Sequence, residues 1–312
     1  MADSRLRIIC GPTGAGKSAI AIDLGETFNA AIVSADSRQI YRRFDIGTAK
    51  PTRADRTRVA HYGIDVVNPE ERYSAARWVA DAQDWIARAE ASGKKPVVVG
   101  GTGLYIKALV NPLFSAPQID PNQRAELERE LEGKSVSELR RWCEGLDPAR
   151  AHLGRTQLIR AIETALLAGS RISDLHAEHS AAIALQAEND RPAYLVVDPG
   201  DALGDRIESR VDAMLEQGWA DEVRELMRIV PPKAPAWQAS GYSVMRQYVE
   251  GALDLSSARQ RIIIETRQYA KRQRTWLRHQ IDESVVTRVD PADPSAAALA
   301  ERWLFDVTER HA

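Results

Sequence analysis

The chain has 312 residues, 44% of them hydrophobic and 28% charged, and a net charge of −2. That composition suits one large or two modest globular domains, and no run of about 18 apolar residues is present to span a membrane. The two cysteines, Cys10 and Cys143, offer neither a disulfide framework nor metal-ligand spacing, and so small a net charge announces no nucleic-acid partner, which would have to show in local clustering.

The first strand-like run, Leu6–Cys10, lies almost at the N-terminus. It leaves no room for a signal peptide, so a cytoplasmic location is expected. Ala19–Leu24 reads as the start of a helix. Between the two stands Gly11-Pro12-Thr13-Gly14-Ala15-Gly16-Lys17-Ser18, in the pattern G-x-x-x-x-G-K-S. Strand, glycine loop and helix together form the context this phosphate-binding motif requires. The glycines let backbone N–H groups converge on one point, and the helix N-terminus adds partial positive charge there. Lys17 would reach the terminal phosphates and Ser18 would ligate Mg²⁺.

Ala31–Ser34 is a second short strand, followed by Asp36, Ser37, Arg38 and Gln39. Ligands of open parallel sheets gather beyond the carboxyl ends of the strands, so Asp36 is expected on the same edge as the glycine loop. A carboxylate there could bind Mg²⁺ through water or take a proton from a substrate; capping the next turn is the evenly weighted alternative. The spacing of Ala75, Val79, Ala82 and Ile86 predicts a helix from a Ser74 cap to about Ala91. Pro96–Val99 reads as a third, buried strand. It runs into Gly100-Gly101-Thr102-Gly103 and a helix from about Leu104. The three glycines would permit close approach of a ligand and Thr102 offers a hydroxyl, although a tight helix entry explains the segment as well.

The texture changes after Pro117. Helical patterns cover about 121–132, 135–145, 155–168 and 173–187, with no convincing strand among them. Ala193–Asp198 is a strand again, and long helices follow over about 202–228 and 255–280, separated by a proline-marked loop at 230–240. The simplest layout is an α/β fold: a P-loop-type parallel-sheet core from residues 1–116 and 193–312, interrupted by a helical insertion over 117–192.

The densest charge cluster is Arg267, Lys271, Arg274 and Arg278, whose spacings of 4, 3 and 4 place them on one helical face, with Tyr269, Arg272 and Trp276 in the same run. Such a stripe suits a polyanion; a solvated amphipathic face is the alternative. His176 and His179 stand three apart, but no third ligand is spaced to complete a metal site. From the residues alone, the chain is a kinase or another phosphate-handling transferase acting on a small molecule or a nucleic acid.

The ordered combination is more specific. Gly11–Ser18, Ser34–Tyr41, Asp45–Pro51, Val98–Tyr105, Thr266–Gln273 and Thr275–Arg278 together resemble the tRNA dimethylallyltransferase family, nearly end to end. The resemblance implies that the loop Gly11–Ser18 holds the diphosphate of dimethylallyl diphosphate, with Mg²⁺, and that the five-carbon group moves to N6 of the adenosine at tRNA position 37. It implies that Asp36 is the base, that Lys17 neutralises the leaving group, that Thr102 holds the adenosine and that Arg210 adds a diphosphate contact. It assigns contacts with the anticodon stem-loop to Asp36, Ser37, Arg38, Gln39, Thr102, Arg124, Thr156, Gln157, Leu158, Ile159, Arg160 and Tyr242, and to Arg267, Lys271 and Arg274 if the stripe faces RNA. The target base must leave its stack to react, which explains the helical insertion as a surface that grips the loop. A monomer with no membrane association is expected. A prenyltransferase of free adenine nucleotide, a small-molecule kinase and a non-catalytic RNA-binding switch are the competing readings. The chain departs from the family at Ser240-Gly241-Tyr242-Ser243, where a basic residue usually follows the tyrosine.

Overall fold

The computed structural model describes residues 5–111, 119–177 and 191–305. Six strands pair in parallel in the order β3-β2-β4-β1-β5-β6. They are β1 (Arg7–Cys10), β2 (Ala30–Ala35), β3 (His61–Tyr62), β4 (Lys95–Gly100), β5 (Ala193–Val197) and β6 (Val286–Val289). The central strands are short, apolar and buried on both sides, as parallel strands covered by crossover helices must be.

Alternation along these strands assigns the two faces. Ile9, Val97, Val99, Leu195 and Val197 pack with α1 (Lys17–Phe28) and a helix near the C-terminus, Ala296–Phe305. Ile8, Cys10, Val98 and Val196 pack with Trp78 and Ala82 of α3 (Ala75–Ala91), Tyr105 and Ile106 of α4 (Gly103–Val110), and Leu277 of the long helix Leu255–Gln280. Ser74 caps α3 by accepting from the Arg77 amide at 3.1 Å. The buried face of α3 runs through Trp78, Ala82 and Ala89, with Ala75, Val79 and Ile86 flanking it.

The single helix expected over 202–228 is two, α8 (Leu203–Glu216) and α9 (Trp219–Ile229). They break at Gly218, whose φ of 89° no helix continues through. Together with α10 (Tyr242–Val249) and the first half of α11 (Leu255–Gln280), they bury Phe44, Trp219, Trp237 and Tyr242 in a separate cluster. Short or polar elements carry too little local signal to be expected from sequence: α2 (Arg53–Arg58), β3, α10, β6 and α12 (Ala296–Phe305).

The chain divides into two compact units, residues 1–110 with 189–312, and residues 111–188. The second is helical: α5 (Pro121–Glu132), α6 (Val136–Leu146) and α7 (Arg155–Ala168) enclose Leu131, Leu139, Cys143, Leu158 and Ile162. A capping box of Ser135 and Glu138 starts α6. Of the helix expected over 173–187, residues up to 177 are helical and the remainder, His179 included, lies outside the described residues.

Candidate active site

Three turns at the carboxyl edge of the sheet meet in one place. The first is the loop between β1 and α1. A Cβ at Gly11 would lie 2.2 Å from the Val197 carbonyl oxygen, so β5 leaves room only for glycine there. Within the loop the Ala15 N–H donates to Pro12 O, and the Thr13 N–H is taken by the Gln273 side chain at 2.8 Å. The amides of Gly14, Gly16, Lys17 and Ser18 remain as donors for an anion. The Lys17 ammonium folds back to donate to Gly11 O at 3.0 Å and Pro12 O at 2.8 Å. Burial, and then the Arg210 guanidinium beside it, push its pKa down to about 8. Arg210 reaches the loop from α8 and forms no ion pair among the described residues; burial lowers its pKa while Asp36 works in the opposite direction. Two cations therefore converge on a cradle of amide dipoles, an arrangement that an anion stabilises.

The second turn follows β2. Asp36 Oδ1 accepts from the Arg38 amide at 2.8 Å and the Gln39 amide at 3.3 Å. Oδ2 forms no hydrogen bond with the described residues. The turn-capping reading of this residue holds for one oxygen, which orients the carboxylate and leaves the other without a hydrogen-bond partner among the described residues. The Gln39 side chain is committed to the protein, its Nε2 donating to Thr48 O and Ala49 O at 3.1 Å and its Oε1 accepting from Ser34 Oγ at 3.2 Å.

The third turn follows β4. The Thr102 N–H donates to Ala35 O at 3.2 Å, and Thr102 Oγ1 accepts from the Ser37 amide at 3.1 Å, so the turn is tied to that of Asp36. Of the two sequence readings of its glycines, close approach of a ligand or a tight helix entry, the surroundings favour the second. A Cβ at Gly100 would lie 2.2 Å from Ala35 O, at Gly101 2.3 Å from Gln273 Nε2, and at Gly103 2.3 Å from the Trp276 indole. They admit β2 and α11 of the protein itself. Gln273 carries no motif of its own, yet it is only 7% exposed and its Nε2 donates to Gly101 O at 2.8 Å. It thereby ties the first turn to the third. The available signal is its place one helical turn after Tyr269, on the inward side of α11.

Two chambers open from this junction. A small one of about 130 Å³ is lined by Gly14, Lys17, Ser18 and Gly101. A larger one of about 510 Å³ is lined by Ser37, Arg38, Thr48, Trp219, Ser240 and Arg272. Thr13, Asp36, Arg210 and Tyr269 line both. Burial and the nearby Asp36 charge raise the Tyr269 pKa. One wall of the larger chamber is a heavily anchored loop. Glu222 accepts from the Asp45 and Ile46 amides at 3.0 and 2.7 Å and from Tyr242 Oη at 2.6 Å. The Lys50 ammonium, 2% exposed, donates to Tyr41 O, Asp45 and Asp65.

Several residues expected to contact RNA sit elsewhere. Tyr242 is fully buried against Phe44, Trp219 and Trp237, and so is Leu158 within the helical unit; neither side chain can face an RNA. The basic stripe is half neutralised. Arg267 pairs with Glu208 at 2.6 Å, and Arg274 with Asp198 at 2.5 Å while also donating to Gly200 O. Their acids come from α8 and the end of β5, which no inspection of the stripe could reveal. Lys271 and Arg278 are exposed without an acidic partner among the described residues. In the helical unit, Arg124 pairs with Glu128 at 3.2 Å and the buried Glu163 at 3.3 Å, while Thr156, Gln157 and Arg160 share the exposed face of α7 with Ile159 at its margin.

Known proteins with the same pattern are numerous. A family model described as IPP transferase matches residues 39–280, and one described as isopentenyl transferase matches residues 4–61. The chain is 43% identical over 282 residues to the tRNA dimethylallyltransferase of Halorhodospira halophila, covering 88% of this chain and 90% of that protein. It is 39% identical over 297 residues to that of Ralstonia nicotianae, covering 91% and 92%. Among solved structures, the tRNA isopentenylpyrophosphate transferase of Bacillus halodurans matches with a TM-score of 0.68 at 32% identity, covering 96% of this chain and 95% of that one.

Proposed function

The chain belongs to the IPP transferase family of tRNA dimethylallyltransferases, and from that premise we propose how its two chambers prenylate a tRNA adenosine. Dimethylallyl diphosphate places its phosphates in the small chamber, against the loop amides, Lys17 and Arg210. Adenosine 37, flipped out of the anticodon loop, enters the larger chamber. N6 attacks C1 of the allyl group, the C1–O bond breaks, and its electron pair leaves on diphosphate. The N6 proton passes to Asp36.

The observation that carries this reading is the Asp36 carboxylate, held through one oxygen and open through the other, at the junction of the chambers. An exocyclic amine conjugated with a purine is a weak nucleophile, so removing its proton during attack contributes substantially. The loop amides, Lys17 and Arg210 meet the charge that develops on the leaving group. Thr102, tied to the Asp36 turn, orients the base. Ser18 Oγ, exposed at the start of α1, is a hard oxygen donor without a partner among the described residues, which suits a Mg²⁺ that retains most of its waters. Bound there, Mg²⁺ would supply charge neutralisation of the diphosphate. No described helix is long and apolar enough to cross a membrane.

The isopentenyl transferase match over residues 4–61 does not separate the tRNA reading from the free-nucleotide reading, since those residues carry the loop and Asp36 that both chemistries need. Labelled dimethylallyl diphosphate offered with undermodified tRNA or with AMP separates the two. Label in tRNA supports the proposal; label only in AMP replaces it with the free-nucleotide reaction; transfer to neither removes both.

A further inference from the structure

The first turn of α9 touches two walls of the larger chamber. One wall is the loop that carries Gly47 and Thr48, and the other is the segment that carries Gln238, Ala239 and Ser240. A Cβ at Gly47 or at Gly241 would overlap the Trp219 indole, so both backbones pack directly on the same ring system. Trp219 is 1% exposed, and its Nε1–H has no partner among the described residues. The indole therefore supplies bulk here, not a hydrogen bond. Glu222 lies three residues further along α9, on the same side of the helix, and engages both walls as well. Its Oε2 accepts from the Asp45 and Ile46 amides at 3.0 and 2.7 Å, and its Oε1 accepts from Tyr242 Oη at 2.6 Å, just beyond Ser240. The loop wall is also tied to the turn of Asp36, since Gln39 Nε2 donates to the Thr48 and Ala49 carbonyls. Glu222 itself does not line the chamber.

A spacer packed on two backbones, and a carboxylate with one oxygen on each wall, together fix a separation. We infer that Trp219 and Glu222 set the width of the larger chamber, and with it the size of base the enzyme accepts, Glu222 being a positioning residue that acts through both walls. The strap depends on a carboxylate. Glu222 accepts three hydrogen bonds through two oxygens. An amide in its place keeps one acceptor oxygen and turns an N–H₂ toward groups that are themselves donors, so one wall is released. The phosphate loop makes no described hydrogen bond with Glu222, and donor binding is therefore left intact. The reaction is not, because N6 must meet C1 of the donor and Asp36 together, and a displacement of about 1 Å in the wall that holds the base costs rate without costing affinity. This inference rests on the tRNA reading above.

The test couples protein and RNA changes. Anticodon stem-loops carrying adenosine or 2-methyladenosine at the target position are compared in single-turnover transfer of the labelled dimethylallyl group. The proteins are the wild type, Glu222→Gln, Trp219→Phe and Tyr242→Phe, the last removing only the link to the second wall. The wild type should prefer adenosine by about tenfold or more. Glu222→Gln should slow transfer to adenosine about tenfold and narrow that preference about fivefold, with the dissociation constants of donor and stem-loop within about twofold of wild type. Trp219→Phe, a smaller spacer, should narrow the preference as well. Tyr242→Phe should narrow it less, and adding it to Glu222→Gln should change little further, as for residues in one linkage. Tyr242→Phe keeps the buried ring, so it answers the question even where Glu222→Gln does not fold. A wild type indifferent to the 2-methyl group, a preference unchanged in all the variants, or a loss confined to donor and stem-loop affinity overturns the inference. If the wild-type protein transfers label to tRNA while the preference stays fixed, only the role of α9 fails; if it transfers no label to tRNA, the functional reading fails as well.

Discussion

Asp36 shows how much a single carboxylate can be asked to do. Its Oδ1 holds the turn, and its Oδ2 has no hydrogen-bond partner among the described residues. Asp36→Asn keeps the capping oxygen but cannot accept a proton, so kcat should fall by about 10²–10⁴ while tRNA affinity, measured by filter binding, stays near wild type. A matching loss of tRNA affinity would make Asp36 a positioning residue. Lys17 makes a separate prediction about pH. The site lowers its pKa from 10.5 to about 8, and a bound diphosphate favours the protonated form. Donor affinity should therefore be full below about pH 8 and decline as pH rises through that value. Lys17→Arg retains its charge and should lose this alkaline limb, read as the donor dissociation constant from about pH 7 to about pH 9. The two ends of the site also differ in legibility. Lys17 is evident from an eight-residue pattern whose spacing enforces a conformation. Gln273 is not, because its partners, Thr13 and Gly101, lie far away in the chain and meet it only when α11 crosses the sheet edge.

At the scale of elements, helices with strong local signals lie where expected. α11 runs from Leu255 to Gln280 behind an Asp254 cap, and α5 and α7 match their apolar spacing. Boundaries set by one backbone angle are harder to see. The break between α8 and α9 rests on Gly218 at φ 89°, and the nearest atom to a Cβ there would be Asp221 Oδ2 at 3.7 Å. The space is open, so Gly218→Ala should carry only the conformational cost of a left-handed residue, about 1–2 kcal/mol by urea denaturation. A change near zero would mean that the junction tolerates another geometry. The glycines after β4 teach the opposite lesson. Gly100, Gly101 and Gly103 fit either ligand approach or a tight turn in sequence, and Ala35, Gln273 and Trp276 pack against them. Glycine reports that something approaches closely, and the chain order cannot say whether that is a ligand or another part of the protein.

Over the whole molecule, charge is organised by neighbours in space. The net charge of −2 conceals a stripe in which two of four cations are already paired. Because phosphate contacts release counterions, tRNA affinity should fall steeply as salt rises from about 50 to about 200 mM in a filter-binding titration. A flat response would contradict a cationic RNA surface. The sequence by itself determined the parallel α/β core, the phosphate loop, the edge on which Asp36 and Thr102 lie, and the helical insertion. Each follows from short-range rules: apolar period, glycine conformation and the direction of parallel strands. Only the tertiary structure decided that Tyr242 and Leu158 are core residues, that Gln273 ties two turns together, and which cations of α11 remain unpaired among the described residues. Those outcomes depend on contacts between residues distant in the chain, where burial and ion pairing are settled by whatever the fold brings alongside.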